Sequence, residues 1–313
     1  MRIEVAWFAF RPRLTPSPHA SMQVQRLRLA LPVVFTSLLL VAWKSKSAQD
    51  TAMMAQNVAG PVHMVIGQGG NLGVSAGPDG VLLIDDQFAN MAEKIQASLD
   101  GIAKEAGLDS GAPRFLINTH HHGDHTGGNL EFGKVATIIA HENVRSRLMQ
   151  GMEALGLPTL TFAEGMSVHF NGEEIRLLHL PHGHTDGDTV VFFTSSNVVH
   201  MGDLFFNARF PFIDIDSGGT VSGYLANIQT VLAATDANTQ FIPGHGELAS
   251  RADLQKLHEV LSDVREVVMA AATEGMSAEE IKAADLFSEY ESWGTGFIST
   301  SRLIDIILRE MNQ

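Results

Sequence analysis

From about residue 60 onward, short apolar runs alternate with glycine-, proline- and asparagine-containing turns, and helical periodicities follow several of them. Residues 62–66, 71–75 and 81–85 read as three strands. Gly77-Pro78-Asp79-Gly80 between the last two has the residue types of a hairpin turn. Met91, Ile95, Leu99 and Ile102 recur at helical spacing within 88–106, and Gly107 stands where a helix stop is wanted. Residues 115–117 and 135–140 predict two further strands, and 142–150 a helix. Two hairpins follow, 166–170 with 175–180 and 189–193 with 198–201, separated by a helix at 219–234 from a last short strand at 240–242. Helices are expected at 252–273, 277–284 and 299–311, whereas 157–165 reads as loop and short extended chain. Two similar halves, each strand-rich and then helical, imply an α/β fold with helices packed outside mixed sheets, in one domain.

The first 47 residues do not belong to that pattern. Arg26-Leu27-Arg28 precedes an apolar run from Leu29 to Trp43, shorter than the roughly 20 residues of a comfortable membrane span, and Ser45-Lys46-Ser47 before Ala48 resembles a cleavage site. Residues 1–47 are therefore expected to be an upstream extension and signal peptide, with Met22 as the better start. Residues 48–60 follow as a lead-in, and 61–313 form the body, with C-terminal helices from about 252. Export to the periplasm or beyond is the corresponding expectation, with no membrane contact after cleavage. The chain has no cysteine, so no disulfide framework, thiolate ligand or thiol nucleophile exists. Residues 1–47 hold seven Lys/Arg and one Glu, so removing them takes the formal charge from −14 to −20. A body that acidic repels phosphate backbones, which argues against nucleic acid and for a small-molecule substrate.

The chemistry concentrates in His120-His121-His122-Gly123-Asp124-His125, four histidines and one aspartate directly after the strand at 115–117. Imidazole nitrogen and carboxylate oxygen suit zinc and its first-row neighbours. Gly123, Gly127 and Gly128 are expected to keep this stretch a loop, so that its side chains turn toward a common point. Three later strand ends carry the same residue types beside glycine: Pro181-His182-Gly183-His184-Thr185, Met201-Gly202-Asp203, and Pro243-Gly244-His245. Strand ends are rigid, as a preorganised site requires.

His-x-His-x-Asp-His, then Gly-His-Thr, Gly-Asp and Pro-Gly-His, in this order, resembles the metallo-β-lactamase superfamily of binuclear hydrolases. The resemblance implies an αβ/βα four-layer sandwich with two zinc ions at one edge of its sheets, iron or manganese being alternatives. It implies that His120, His122 and His184 bind one metal, that Asp124, His125 and His245 bind the other, and that Asp203 bridges them. Asp85 matches the family's supporting aspartate, expected to orient a ligand histidine. The implied chemistry is attack of a metal-bridging hydroxide on an acyl carbonyl, with Asp124 orienting the nucleophile and handling a proton.

Subfamily marks narrow the substrate. Asp203 stands where well-known β-lactamases carry cysteine, and the full ligand set is that of glyoxalase II, lactonases and many exported hydrolases. Phe205 and Phe206 replace the tyrosine that acyl-homoserine lactonases carry after the bridging aspartate. With export assumed, β-lactamase or promiscuous β-lactamase-like activity ranks first, and a glyoxalase II-type thioesterase or lactonase second. A di-iron oxidoreductase on the same scaffold and a non-catalytic metal-stabilised binding protein are the readings from other classes. Asn207 and Arg209 are candidate contacts for a substrate carboxylate, since a guanidinium forks onto one. Oligomeric state is not readable.

Overall fold

The computed structural model of this protein describes residues 52–312; the expected leader at 1–47 lies outside them. Seven strands form one sheet in sequence order: β1 (Met54–Ala59), β2 (Val62–Ile66), β3 (Leu72–Gly77), β4 (Gly80–Ile84), β5 (Pro113–Ile117), β6 (Thr137–His141) and β7 (Leu160–Phe162). β1 to β4 are antiparallel neighbours, and β4 to β7 run parallel. The second sheet contains β8 (Gly165–Phe170), β9 (Glu173–His179), β10 (Thr189–Phe193), β11 (Val198–His200), β12 (Gln240–Ile242) and β13 (Ala249–Ser250), ordered β13-β12-β11-β10-β9-β8.

The continuous apolar strands are explained by burial on both faces. In β4, Leu82 and Ile84 point into the core between the sheets. Val81 and Leu83 point outward onto the helix α1 (Ala92–Glu105), whose Ile95, Leu99 and Ile102 cover them. In β10, Val191 and Phe193 face the first sheet. Val190 and Phe192 lie under the helices of the C-terminal half. Each such side chain, taken fully from water, contributes about 1.5–3 kcal/mol before entropy is charged against it. The result is four layers, helix–sheet–sheet–helix, as expected.

The other helices are α2 (Gly123–Thr126), α3 (Asn129–Phe132), α4 (Glu142–Leu148), α5 (Val221–Ala233), α6 (Arg251–Thr273), α7 (Ala278–Ala283) and α8 (Thr300–Met311). Thr220 caps α5, and Ser250 with Asp253, and Ser277 with Glu280, form reciprocal capping boxes at α6 and α7. Leu254, Leu257, Leu261 and Val264 of α6 and Leu303, Ile304 and Ile307 of α8 lie on the second sheet with α5.

The structure departs from the pattern reading in three places. β1 falls inside the expected lead-in: its Met-Ala-Gln-Asn side chains are exposed on a sheet edge, so backbone pairing, not hydropathy, defines it. β13 is only two residues long and escapes any periodicity argument. The histidine stretch is not wholly loop; α2 and α3 are single turns within it, Gly123 opening the first. No helix among the described residues is long and apolar enough to cross a membrane.

Candidate active site

The carboxyl ends of strands from both sheets meet at one edge. β4 delivers Asp85 and β5 the stretch His120 to His125. From the other sheet, β9 leads to His184, β11 to Asp203 and β12 to His245. Asn71 ties the halves together: its backbone N–H donates to the Gly244 carbonyl at 2.7 Å, and its Nδ2 donates to the Pro243 and Gly246 carbonyls at 2.9 and 2.8 Å. The loop holding His245 is thereby fixed from the opposite sheet.

The donor atoms gather in two clusters, His120, His122, His184 and Asp203 in one, and Asp124, His125 and His245 in the other, those of each lying within 4.8 Å of one another. Asp203 faces both. Its Oδ2 lies 3.8 Å from His120 Nε2 and 3.5 Å from His184 Nε2, and its Oδ1 lies 3.0 Å from His125 Nε2 and 3.4 Å from His245 Nε2. Asp124 Oδ2 sits 3.4 Å from His245 Nε2 and 3.7 Å from His125 Nε2.

Outer partners decide which nitrogen of each ring points inward. Nδ1 of His184 donates to the Phe212 carbonyl at 2.7 Å, Nε2 of His122 to Asp214 at 3.0 Å, and Nδ1 of His125 to Asp85 at 2.7 Å. The Thr119 hydroxyl donates to Asp85 and so accepts from Nδ1 of His120, 3.1 Å away. A neutral ring that donates outward turns a lone pair inward. His184 Nε2 and His122 Nδ1 then oppose lone pairs at 2.8 Å, and His125 Nε2 opposes a carboxylate oxygen at 3.0 Å. Such pairs repel unless a cation or a proton lies between them. Consistently, His120 Nε2, His125 Nε2 and Asp203 Oδ1 are buried with no hydrogen-bond partner. This donor set fits divalent metal.

The electrostatics agree. Burial, with neighbouring rings, holds His120 and His184 below the usual imidazole range, His184 at about 4, so both rings are neutral at pH 7 and free to offer a lone pair. Burial opposes charge on His125 and His245, but Asp203, with Asp85 and Asp124 respectively, outweighs it and raises both, His245 to about 9. A metal there must displace a proton. Asp203 is held well below its ordinary range, four histidines overcoming its burial, and Asp124 is lowered by His245 and His125 against its own burial. Both are acceptors only.

Every residue expected to ligate lies in one of these clusters, and Asp85 holds His125. Its own φ of 59° is left-handed, a strained conformation that aims the carboxylate at Thr119 and His125. Glycine at 244 is obligatory, because a Cβ there would collide with Asp203 Oδ1 and the Gly202 carbonyl. Arg209 lines the cavity above the clusters and has no hydrogen-bond or ion-pair partner among the described residues. Asn207 instead donates to the Glu247 carbonyl at 3.1 Å. His182 is exposed and reaches the Gly218 carbonyl, while His200 is buried against the Asn71 carbonyl; neither joins the site. His121 belongs to neither cluster: its Nε2 lies 3.4 Å from the Ser217 hydroxyl, and with His122 and Asp214 it makes a further group of donor atoms within 4.8 Å of one another.

Sequence reasoning missed Asp214. It holds His122 from the second-sheet side, accepts from the Ser217 backbone, and is driven far below its ordinary range by these bonds despite partial burial. An acidic residue between Ile213 and Ile215, one apolar neighbour on each side inside a long non-strand segment, was its signal.

Above the clusters opens a cavity of about 520 Å³, bordered by Asp124, Asp203 and His245 on its floor and by several phenylalanines at its rim. That volume lies in the range of small-molecule sites.

Comparisons with known proteins agree with this architecture. The chain is 32% identical over 134 residues to hydroxyacylglutathione hydrolase of Nitrosococcus oceani, covering 42% of this chain and 47% of that one. It is 34% identical over 123 residues to the protein of the same name from Rhodospirillum rubrum, covering 38% and 44%. It thus spans about half the length of the curated relatives it matches. Among solved structures, the DIM-1 metallo-beta-lactamase superposes with a TM-score of 0.57 at 15% identity, over 68% of this chain and 98% of that one. The metallo-beta-lactamase from Pontibacter korlensis gives 0.57 at 15%, over 67% and 99%. Residues 67–254 match the family model described as the metallo-beta-lactamase superfamily, and with these residues the chain belongs to that superfamily.

Proposed function

We propose that this protein is an exported, zinc-dependent hydrolase of acyl compounds, with β-lactams as its substrates and some tolerance for other activated acyl bonds. The observation that carries the hydrolase reading is the pair of lone-pair-lined clusters sharing Asp203 at the floor of the cavity. His120, His122 and His184 would hold one zinc ion and Asp124, His125 and His245 the other, with Asp203 serving both. Bound there, zinc lowers the pKa of water toward neutrality and supplies Lewis acidity to the acyl oxygen.

The remaining work falls to the chain. Asp124, ionised and at the cavity floor, accepts and orients a proton on the attacking water. Asp85, Asp214, Thr119 and the Phe212 carbonyl fix the rings, so little reorganisation is needed when charge develops. Arg209 offers an unpaired guanidinium to a substrate carboxylate. The phenylalanine rim excludes water from the reacting bond.

A thioesterase acting on glutathione conjugates is the second reading, favoured by the names of the sequence relatives. Against it stands the cavity itself: glutathione carries two carboxylates and two peptide bonds, whereas Arg209 is the one lining cation that is not itself a member of the clusters. Turnover of a chromogenic cephalosporin, a lactone and a glutathione thioester, with metal content measured on the same zinc-loaded sample, tests both. Hydrolysis of the thioester alone would overturn the ranking, and hydrolysis of none would overturn the hydrolase reading. Export is tested by fractionating cells that express the full chain; the protein is expected outside the cytoplasm, shortened at the N-terminus.

A further inference from the structure

The rim of the cavity is built from five phenylalanines drawn from three distant parts of the chain. Phe88 comes from the segment after β4, Phe206, Phe210 and Phe212 from the segment after β11, and Phe297 from the turn before α8. Phe206 stacks on His245, ring centroids 4.9 Å apart at 23°, and Phe212 lies 5.8 Å from His122 and 5.7 Å from His184. The apolar wall therefore begins at the two clusters themselves.

It ends at Phe297, whose ring meets Phe212 edge-on at 6.0 Å and yet is 71% exposed; Phe88 is 37% exposed. Phe297 is not a loose side chain. The Arg302 guanidinium lies 4.8 Å from its ring centre and 5.6 Å from that of Phe212, holding the two rings together. The same C-terminal segment is pinned to the site where the Phe210 N–H donates to the Trp293 carbonyl at 3.0 Å. A held aromatic face open to solvent at a cavity mouth is matched by a second aromatic ring, which packs edge-on or offset on such faces. The unpaired Arg209 stands on the same rim.

We propose that the mouth is an aryl-binding subsite: the compound cleaved carries an aromatic group that lodges against Phe88, Phe212 and Phe297 while its anionic group meets Arg209. The proposal rests on the acyl-hydrolase reading and names the substrate class for it. The C-terminal segment, well outside the residues that match the family model, then sets specificity through Phe297.

The test is built so that the two readings fail separately. Binding of phenylacetate, acetate and octanoate to the zinc-loaded protein is measured by calorimetric titration; all three present the same carboxylate, so their differences read the mouth alone. Phenylacetate is expected to bind about tenfold more tightly than acetate, a ratio of the size that aromatic packing gives. Phe297→Ala, at an exposed position and checked by its melting temperature, should reduce that ratio to about twofold, and Phe297→Trp should restore it. Matched phenylacetyl and acetyl derivatives of each bond class should show the same preference in KM more than in kcat. The absence of cysteine lets released thiol be counted without background. Equal binding of phenylacetate and acetate overturns the subsite, and octanoate as tight as phenylacetate overturns its aromatic selectivity. Ring-dependent binding without turnover of any bond leaves the subsite standing and overturns the hydrolase reading.

Discussion

Nδ1 of His125 lies 2.7 Å from Oδ2 of Asp85, and both side chains are fully buried. Asp85 also accepts from the Thr119 backbone and hydroxyl, each at 2.7 Å. One carboxylate thus orients a ring in each cluster. Asp85→Asn keeps the left-handed backbone, which asparagine tolerates, but removes the charge and half the acceptor capacity. Zinc affinity is expected to fall by about 10–100-fold, read by competition with a chromogenic chelator. Unchanged affinity would show that the histidine orients itself.

Asp214 makes the matching contact to His122 alone, on one cluster only. Asp214→Asn should therefore weaken one of two zinc ions by a similar factor and leave the other. Stepwise titration distinguishes the sites; equal weakening of both steps would contradict the division of ligands.

Gly244→Ala places a methyl group against Asp203 Oδ1 and the Gly202 carbonyl, too close for both to stay where they are. Overpacking of this kind costs about 1–3 kcal/mol, and the carboxylate that serves both clusters is what it displaces. The expected outcome is a folded protein with a lowered melting temperature and less than one zinc bound. Full zinc occupancy in this variant would refute the assigned role of Asp203.

His141 and His179 stack at 3.6 Å, nearly parallel, and burial lowers both from the ordinary imidazole value, His141 further depressing His179. Their folded pKa values lie below the unfolded ones, so the unfolded chain takes up protons first. Stability is unaffected above about pH 6.5 and falls as pH drops below it. His179→Gln should reduce the drop in melting temperature between pH 7.5 and 5.5 by on the order of 2–4 °C. An identical drop in wild type and variant would mean the pair does not titrate on unfolding.

What the sequence made legible was whatever a strand end announces. His120, His122, Asp124, His125, His184, Asp203 and His245 each follow a buried apolar run and sit beside glycine, and the structure brings all seven to one edge. The four-layer plan was equally visible, because strands such as Val81 to Ile84 are apolar on both faces and helices such as 92–105 on one. Features held by backbone contact or by distant packing were not visible. β1 has exposed side chains, and α2 is one turn opened by a glycine. Asp214 and Phe297 reach the site from segments without regular strands, steered by Ile213 and Ile215 in one case and by Arg302 in the other.

The clusters are filled by residues from both sheets, His120 to His125 from one and His184, Asp203 and His245 from the other, and this makes the site a clasp across the open end of the sandwich. With a divalent metal bound in each cluster, neither sheet could leave the other without surrendering donors to both. Opening the fold and releasing metal would then be a single event, and the free-cation concentration would enter the folding equilibrium as RT ln(1 + [L]/Kd), about 4 kcal/mol per ion at a thousandfold excess over Kd. The durability of the protein would in this sense be a property of its surroundings as much as of its chain: the same sequence would be robust where the fitting divalent metal is plentiful and fragile where it is scarce.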